Sequence, residues 1–307
     1  MSKQIKIWGM SYAVIGDLIA GLPMLTYYEK KYPNSYKYWV MDKRCAFMAP
    51  IFLNHPLIDK IRITDNWDGF GENDRKLMAE CDVVVDTENY KHPQKNWYNY
   101  TGFIEETAIL AGITDITEVL TPDELKPKLV KWFDPGFDNP HNHTYSKTNA
   151  RNLVEFDRNI AIWPFAQADN HLGRSPSTMW WNQFIEKLTK QNYTVYHYGK
   201  KTDPNLSDLP GYKNLTYLSF FDQIKACLAS KLVIGPNTGP MFVVGAYSHP
   251  SLHLLTNYYH DHNENFLTLA PVNDNGTNLF IPRNPRGLDA MIPEKVVEHV
   301  NKKIEES

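Results

Sequence analysis

Cysteine is scarce in this sequence and follows no recognisable spacing. The 307 residues include three: Cys45, Cys81 and Cys227. An odd, sparse number excludes a disulfide framework and predicts free thiols, as in proteins of a reducing compartment. The histidine-rich stretches 141–143 and 260–262 each lack a third ligand at helical spacing, so we expect no metal site and no bound cofactor.

An excess of charge of one sign is missing, and so is a long apolar run. The 32 basic and 35 acidic residues leave a net charge of −3, which argues against a nucleic-acid-binding protein. No stretch approaches the ~18 apolar residues of a membrane span, and the N-terminus shows no signal-peptide pattern. These absences predict a cytoplasmic protein and leave peripheral membrane contact open. The eighteen Tyr and eight Trp suit sugar contacts, but filling of the core is their commoner use.

Short apolar runs alternate with amphipathic helical patterns along most of the chain. Such alternation predicts βαβ units and parallel sheets, hence an α/β protein with two Rossmann-like, doubly wound domains facing a cleft. Residues 134–150 consist mainly of turn-forming residues, which predicts a domain boundary nearby. We therefore expect an N-terminal domain of residues 1–155 and a C-terminal domain of residues 156–307. The last helix, 293–306, could instead pack on the first domain.

The second half predicts a regular series of elements. Strands are expected at 159–163, 193–198, 215–218, 231–235 and 251–255, the last one completing the sheet. Helices are expected at 177–190, 220–229 and 238–247.

The strongest chemical signal is the segment 232–247, in which a buried strand runs through Gly-Pro-Asn-Thr-Gly-Pro into a helix. Backbone N–H groups near Thr238 and Gly239 would point outward at the helix start, where the helix dipole favours a diphosphate. The Thr238 hydroxyl could bind phosphate or simply cap the helix. Both interpretations stay open from the sequence.

Two other strand-to-helix loops carry charged residues. Arg174 lies in the loop 164–176, where a fixed guanidinium suits a leaving phosphate, although a solvated arginine is the default. Asp17 follows Gly16 at the first helix start, where a carboxylate is either a helix cap or a general base. No G-x-G-x-x-G pattern occurs in that turn, which counts against a Rossmann dehydrogenase.

Taken together, these segments resemble the lipopolysaccharide heptosyltransferase-like glycosyltransferases, the ADP-heptosyltransferase family with the GT-B fold. Residues 15–23 read Ile-Gly-Asp-Leu-Ile-Ala-Gly-Leu-Pro, and Tyr-Pro follows at 32–33, as in that family. Residues 218–235 then match the family pattern that leads to its Asp-Thr-Gly turn, here Asn-Thr-Gly at 237–239. The resemblance covers most of the chain and is weakest between about 87 and 155.

The resemblance implies a nucleotide-sugar donor, a glycan or glycolipid acceptor such as an envelope or capsule glycan, and metal-independent inverting transfer. Asp17 becomes the general base, Arg174 contacts the donor phosphate, and Thr238 and Gly239 hold the diphosphate. Leu218 falls near the nucleotide base. The family's Asp is Asn237 here, and its following His is Phe242.

Further contacts are expected at two other loops. Gly199 and Asp203 follow a strand and could meet the donor ribose, with a plain turn as the alternative. Glu88 and Lys91 follow the fourth strand of the first domain and could meet the acceptor. Two alternative functions remain: a nucleotide-sugar- or glycan-binding protein that has lost catalysis, and a sugar-nucleotide epimerase of the same fold.

Overall fold

The computed structural model describes most of the chain, in several ranges. These are residues 6–10, 15–64, 71–85, 108, 112–130, 158–166, 175–256, 275–281 and 286–306. Contacts divide the chain into two compact units, Met1–Val130 and Lys131–Ser307. The predicted boundary between residues 155 and 156 lies outside the described ranges and stays a prediction.

The first unit is built on a parallel sheet with strand order β3-β2-β1-β4. Its elements are β1 (Lys6–Met10), α1 (Ile15–Ala20), α2 (Pro23–Lys31), β2 (Tyr36–Asp42), a 3₁₀ helix (Lys43–Met48), α3 (Ala49–Phe52), β3 (Lys60–Thr64), α4 (Glu72–Ala79), β4 (Val83–Val85) and α5 (Ile116–Val119). The sequence predicts one helix from near Asp17 to just before Pro33. The structure has two, because Pro23 cannot donate a backbone hydrogen bond and begins a new helix. The apolar run at 81–86 predicts a strand of the buried parallel type. In the structure 40% of Val84 is exposed, because β4 is the last strand of the described sheet.

The second unit contains a six-stranded parallel sheet with order β10-β9-β8-β5-β6-β7. Its elements are β5 (Asn159–Ile162), α6 (Thr178–Lys190), β6 (Thr194–His197), β7 (Tyr212–Asn214), α7 (Phe220–Leu228), β8 (Leu232–Pro236), α8 (Gly239–Ala246), β9 (Ser251–Thr256), β10 (Gly276–Ile281), a 3₁₀ helix (Gly287–Ala290) and α9 (Pro293–Glu306). The predicted α/β class with two parallel-sheet domains is confirmed.

Two predictions about the strands of this unit are wrong. The strand expected at 215–218 is a turn, in which the Leu218 N–H donates to the carbonyl of Leu215 (3.1 Å); the strand is Tyr212–Asn214. The sheet also does not end at residue 255, because β10 adds a further parallel strand in register with β9. A short edge strand is specified by pairing with its neighbour more than by its own apolar pattern.

Aromatic residues of α6 fill the core of the second unit. Trp180 and Trp181 are 4% and 0% exposed, and their ring centroids lie 5.0 Å apart in an edge-to-face arrangement. Both indole N–H groups are paired, with the carbonyls of Met291 (2.6 Å) and Pro164 (3.2 Å). The core-filling interpretation of these tryptophans is therefore correct.

The last helix buries its apolar face within the second unit. Val296, Val297 and Val300 belong to the core that also contains Trp181. Lys187 on α6 pairs with Glu294 (2.6 Å), and the Tyr193 hydroxyl donates to Asn301 Oδ1 (3.0 Å). Docking on the first domain is thus not needed to bury this helix.

The three cysteines are free, as predicted. Cys227 is fully buried, and burial raises the pKa of its thiol to about 12, so this thiol stays protonated and inert. Within the described ranges, no helix combines the length and apolar character needed to cross a membrane.

Candidate functional site

The carboxyl ends of the parallel strands in the second unit collect most of the predicted donor-site residues. Gly199 follows β6, Leu218 lies in the turn after β7, and Asn237 and Thr238 follow β8 directly. The carboxyl ends of parallel strands meet at one edge of a sheet, where ligands of α/β proteins bind. Strand β5 separates β8 from β6, so the turns after these two strands start about 10 Å apart.

Thr238 precedes the first residue of α8, and its buried side chain has no hydrogen-bond partner in the described part of the chain. Its backbone is extended (φ −135°, ψ 156°) and the residue is 7% exposed. The hydroxyl oxygen has no partner among the described residues. A buried, unpaired hydroxyl costs roughly 1–3 kcal/mol, so its retention calls for an explanation.

The local sequence explains why this hydroxyl does not cap the helix. A capping Thr accepts a hydrogen bond from the second or third N–H of the helix. The second residue of α8 is Pro240, which has no N–H, and the third, Met241, donates instead to the carbonyl of Thr238 (3.0 Å). The capping interpretation of Thr238 is therefore wrong.

Two serines of the same unit show what capping looks like here. Ser177 accepts from the Trp180 N–H at the start of α6, and Ser219 accepts from the Asp222 N–H at the start of α7, both at 3.2 Å. Thr238 occupies the equivalent position of α8 without making the equivalent bond. Its hydroxyl therefore has no capping role in α8.

Gly235, a residue that sequence reasoning missed, allows α8 to approach the sheet. A Cβ at this position would lie 2.8 Å from the carbonyl oxygen of Trp163 and 3.0 Å from the Met241 sulfur. The contact with the backbone carbonyl is too close for a Cβ unless the backbone shifts, and the contact with the sulfur is tight, so only glycine fits here without displacing its neighbours. Strand β8 therefore delivers the Asn237-Thr238 turn against the end of β5.

Gly199 and Asp203 form a tight turn after β6. The Asp203 N–H donates to the Lys200 carbonyl and Asp203 Oδ2 accepts from the Lys200 N–H, both at 2.8 Å. A Cβ on Gly199 would collide with this carboxylate and lie 3.6 Å from His197 Nε2. Burial raises the pKa of Asp203, against the lowering effect of the Lys200 N–H and ammonium groups. The turn predicted as one alternative is real, and it presents a half-buried carboxylate.

A buried glutamine, also missed from the sequence, joins Gly199 to Leu218. The side chain of Gln223 on α7 accepts from the Gly199 N–H (2.8 Å) and donates to the carbonyls of Gly199 (3.0 Å) and Leu218 (2.9 Å). Gln223 thus connects Gly199 and Leu218, which are both predicted donor-site residues. No local sequence signal marks this residue, because its partners are 24 and 5 positions away.

The remaining predicted residues are only partly described. Asp17 lies in α1, whose backbone is helical, and Asn237 is half-buried before Thr238. Arg174, Glu88 and Lys91 lie outside the described residues, as do the histidine-rich stretches 141–143 and 260–262. In the part of the chain that is described, no group of three or more His, Cys, Asp or Glu residues could hold a metal ion.

The fold defines an α/β protein with two parallel sheets, and the candidate site lies at one edge of the sheet of its second unit. No protein-family model and no curated protein sequence matches the chain. Solved structures do: ADP-heptose LPS heptosyltransferase II of E. coli (TM-score 0.71, 14% identity, 99% of this chain and 100% of that one) and a glycosyl transferase family 9 protein of Veillonella parvula (TM-score 0.73, 14% identity, 99% and 98%).

A third similar structure is E. coli heptosyltransferase WaaC with ADP (TM-score 0.59, 13% identity, 97% of this chain and 100% of that one). At these identities the likeness establishes the fold. The chain has the two-sheet GT-B fold of these glycosyltransferases over nearly its whole length, which confirms the resemblance seen in the sequence at the level of fold.

Proposed function

We propose that the chain is a glycosyltransferase that moves a sugar from a nucleoside-diphosphate sugar to a glycan or glycolipid acceptor. The observation that carries the proposal is the buried hydroxyl of Thr238 at the start of α8, which no described residue pairs with. A phosphate oxygen is the partner that a helix start favours, because the helix dipole and the N–H groups of the first turn attract negative charge. The shared fold with proteins that bind ADP or use ADP-heptose supports this class of donor.

The spacing of the turns at the sheet edge supports a nucleoside diphosphate over a smaller anion. Thr238 and the Gly199–Asp203 turn follow strands that are about 10 Å apart. In the proposed complex the diphosphate lies at Thr238 and Gly239, the ribose lies near Gly199 and Asp203, and the base lies near Leu218. A free phosphate would reach only one of these places.

The proposed reaction is a single displacement with inversion at the anomeric carbon. Asp17 takes the proton of the acceptor hydroxyl, and the acceptor oxygen forms a bond to the anomeric carbon as the bond to the diphosphate breaks. Arg174 and the start of α8 stabilise the charge that develops on the leaving diphosphate. These positive groups would replace a metal ion. Glu88 and Lys91 are the proposed acceptor contacts.

A binding protein without transfer is the second candidate. Phe242, in the first turns of α8, is 7% exposed and apolar. The family that the sequence resembles has histidine at this position. Here a side chain that could donate a hydrogen bond to the ligand is replaced by a phenyl ring packed in the core. Such a protein would keep nucleotide affinity and show no turnover.

The experiment is a thermal-shift screen against ADP, GDP, UDP, CDP and dTDP, with wild type and Thr238→Val side by side. A ligand at a hundredfold excess over its Kd stabilises the folded state by ~2.7 kcal/mol. We expect one diphosphate to raise the Tm of the wild type and to lose most of that effect in Thr238→Val. If none of the five shifts the wild type, the donor site and the transferase proposal are both rejected.

A further inference from the structure

Gln223 holds two turns of the sheet edge through one side chain. Its amide makes three hydrogen bonds, of 2.8 Å and 3.0 Å with Gly199 and 2.9 Å with Leu218. The residue is 3% exposed, so these bonds are shielded from water. The pattern fixes the orientation of the amide, because only Nε2 can donate to two carbonyls while Oε1 accepts.

The bonds to Gly199 imitate the pairing of a strand. Gly199 donates its N–H to Gln223 and accepts from it through its carbonyl, the exchange that two paired residues of a sheet make. Gly199 lies two residues beyond the end of β6 and outside the register of its pairs with β5 and β7. The glutamine therefore extends the ordered backbone of β6 toward the turn that contains Asp203.

The third bond reaches the turn after β7. Leu218 also donates its own N–H to the carbonyl of Leu215 (3.1 Å), which closes this turn. The turn displays Tyr217, whose side chain is 65% exposed. Gln223 thus connects a turn that presents a carboxylate to a turn that presents an exposed aromatic ring.

We propose that Gln223 is a positioning residue for donor binding, which holds the turns 199–203 and 215–218 as one preformed surface for the nucleoside half of the ligand. This inference rests on the proposed function and adds to it the residue that assembles the nucleoside subsite. Holding binding loops in place before the ligand arrives raises affinity, because less conformational entropy is lost on binding. Gln223 does not need to touch the ligand for this role.

The test uses Gln223→Met, which keeps the length of the side chain and removes all three bonds. Ser177→Ala is the matched control, because it removes a helix cap in the same unit and leaves the Gln223 bonds intact. Hydrogen exchange of the ligand-free protein should become at least tenfold faster at the Gly199 amide in Gln223→Met and stay unchanged in Ser177→Ala. The Kd of the best-binding of ADP, GDP, UDP, CDP and dTDP should rise at least tenfold in Gln223→Met and less than twofold in the control.

Steady-state kinetics give a second measurement, because a residue with a purely structural role would not change KM selectively. With the matching nucleotide sugar, Gln223→Met should raise KM while kcat stays within about threefold, the signature of lost ground-state binding. Gln223→Glu keeps the acceptor for the Gly199 N–H and loses both donors, and it should show the same direction if Gln223→Met does not fold.

The outcomes separate this inference from the proposed function. Equal Kd values for wild type and a folded Gln223 variant overturn the inference and leave the transferase proposal standing. Faster exchange without any change in Kd also overturns it, since the turns would then be held together for stability alone. A wild type that binds none of the five diphosphates rejects both.

Discussion

The Nδ1 atom of His197 lies 2.7 Å from the hydroxyl oxygen of Tyr212 in the core of the second unit. That hydroxyl also accepts a hydrogen bond from the Leu206 N–H (3.1 Å). His197 is 0% exposed, and burial lowers its pKa to about 4. His253, also 0% exposed, has its pKa lowered to about 3 by burial.

These two histidines predict a loss of stability in mild acid. Their folded-state pKa values lie below the unfolded value of about 6.5, so their contribution to stability is complete above pH 6.5 and is lost as the pH falls toward 4. Each histidine contributes a slope of up to about 1.4 kcal/mol per pH unit in this window. Urea unfolding between pH 7.5 and 4.5 measures it.

Substitution of each histidine tests whether it causes the dependence of the free energy of unfolding on pH. His197→Gln and His253→Gln should each flatten the dependence of the free energy of unfolding on pH. Parallel curves for wild type and both core variants would contradict the prediction.

We expect removal of the Thr238 hydroxyl to have opposite effects on stability and on ligand binding. Thr238→Val removes an unpaired buried hydroxyl at nearly constant shape, so the ligand-free protein should be as stable as wild type or more stable by about 1 kcal/mol. Affinity for the nucleoside diphosphate should fall about tenfold or more, because a hydrogen bond to a charged group contributes about 1.5–3 kcal/mol. Calorimetry and urea unfolding measure the two quantities. Thr238→Ser keeps the hydroxyl and should retain binding; a destabilised Thr238→Val protein would show that the hydroxyl has a partner in the free protein.

We expect alanine substitutions of Gly235 and Gly199 to differ in their effects on stability and on nucleotide binding. Gly235→Ala should destabilise the second unit by roughly 1–3 kcal/mol, because its Cβ would meet a backbone carbonyl that cannot move freely. Gly199→Ala should cost less than about 1 kcal/mol, since it displaces the end of the Asp203 side chain, yet it should weaken nucleotide binding. Unfolding curves and a binding titration of both variants test this, and equal destabilisation would refute the assignment.

We expect substitution of Asp17 to lower turnover without changing donor binding. As the proposed general base, its replacement by Asn should lower kcat by about 10²–10⁴-fold while the Kd of the diphosphate stays within twofold of wild type. Asp208→Asn, at an exposed position of the second unit, serves as the control with full activity. A wild type that binds nucleotide but turns over no faster than Asp17→Asn would favour the binding protein without transfer.

Much of the architecture was predictable because local signals agreed with the final packing. Strand β2, helices α6, α7, α8 and α9, and the segment around Thr238 follow from apolar runs bounded by Ser, Thr, Gly and Pro. The misplaced strand at 215–218 and the missed strand Gly276–Ile281 had weaker local patterns. Every side chain described in Gly276–Ile281 is half-buried or exposed, so only its pairing with β9 identifies it as a strand.

The sequence by itself determined that the chain alternates strands and helices, that its thiols are free, and that a Gly/Pro/Thr turn joins a buried strand to a helix. It also contains one reason why the Thr238 hydroxyl does not cap the helix. The second residue of the helix is Pro240, which has no N–H to donate to that hydroxyl. Only the tertiary structure decided that the Thr238 hydroxyl is buried without a partner among the described residues and that Gln223 joins Gly199 to Leu218. The physical reason is distance along the chain: periodicity and capping act over a few residues, whereas burial and these bonds depend on strands that meet only after the sheet has formed.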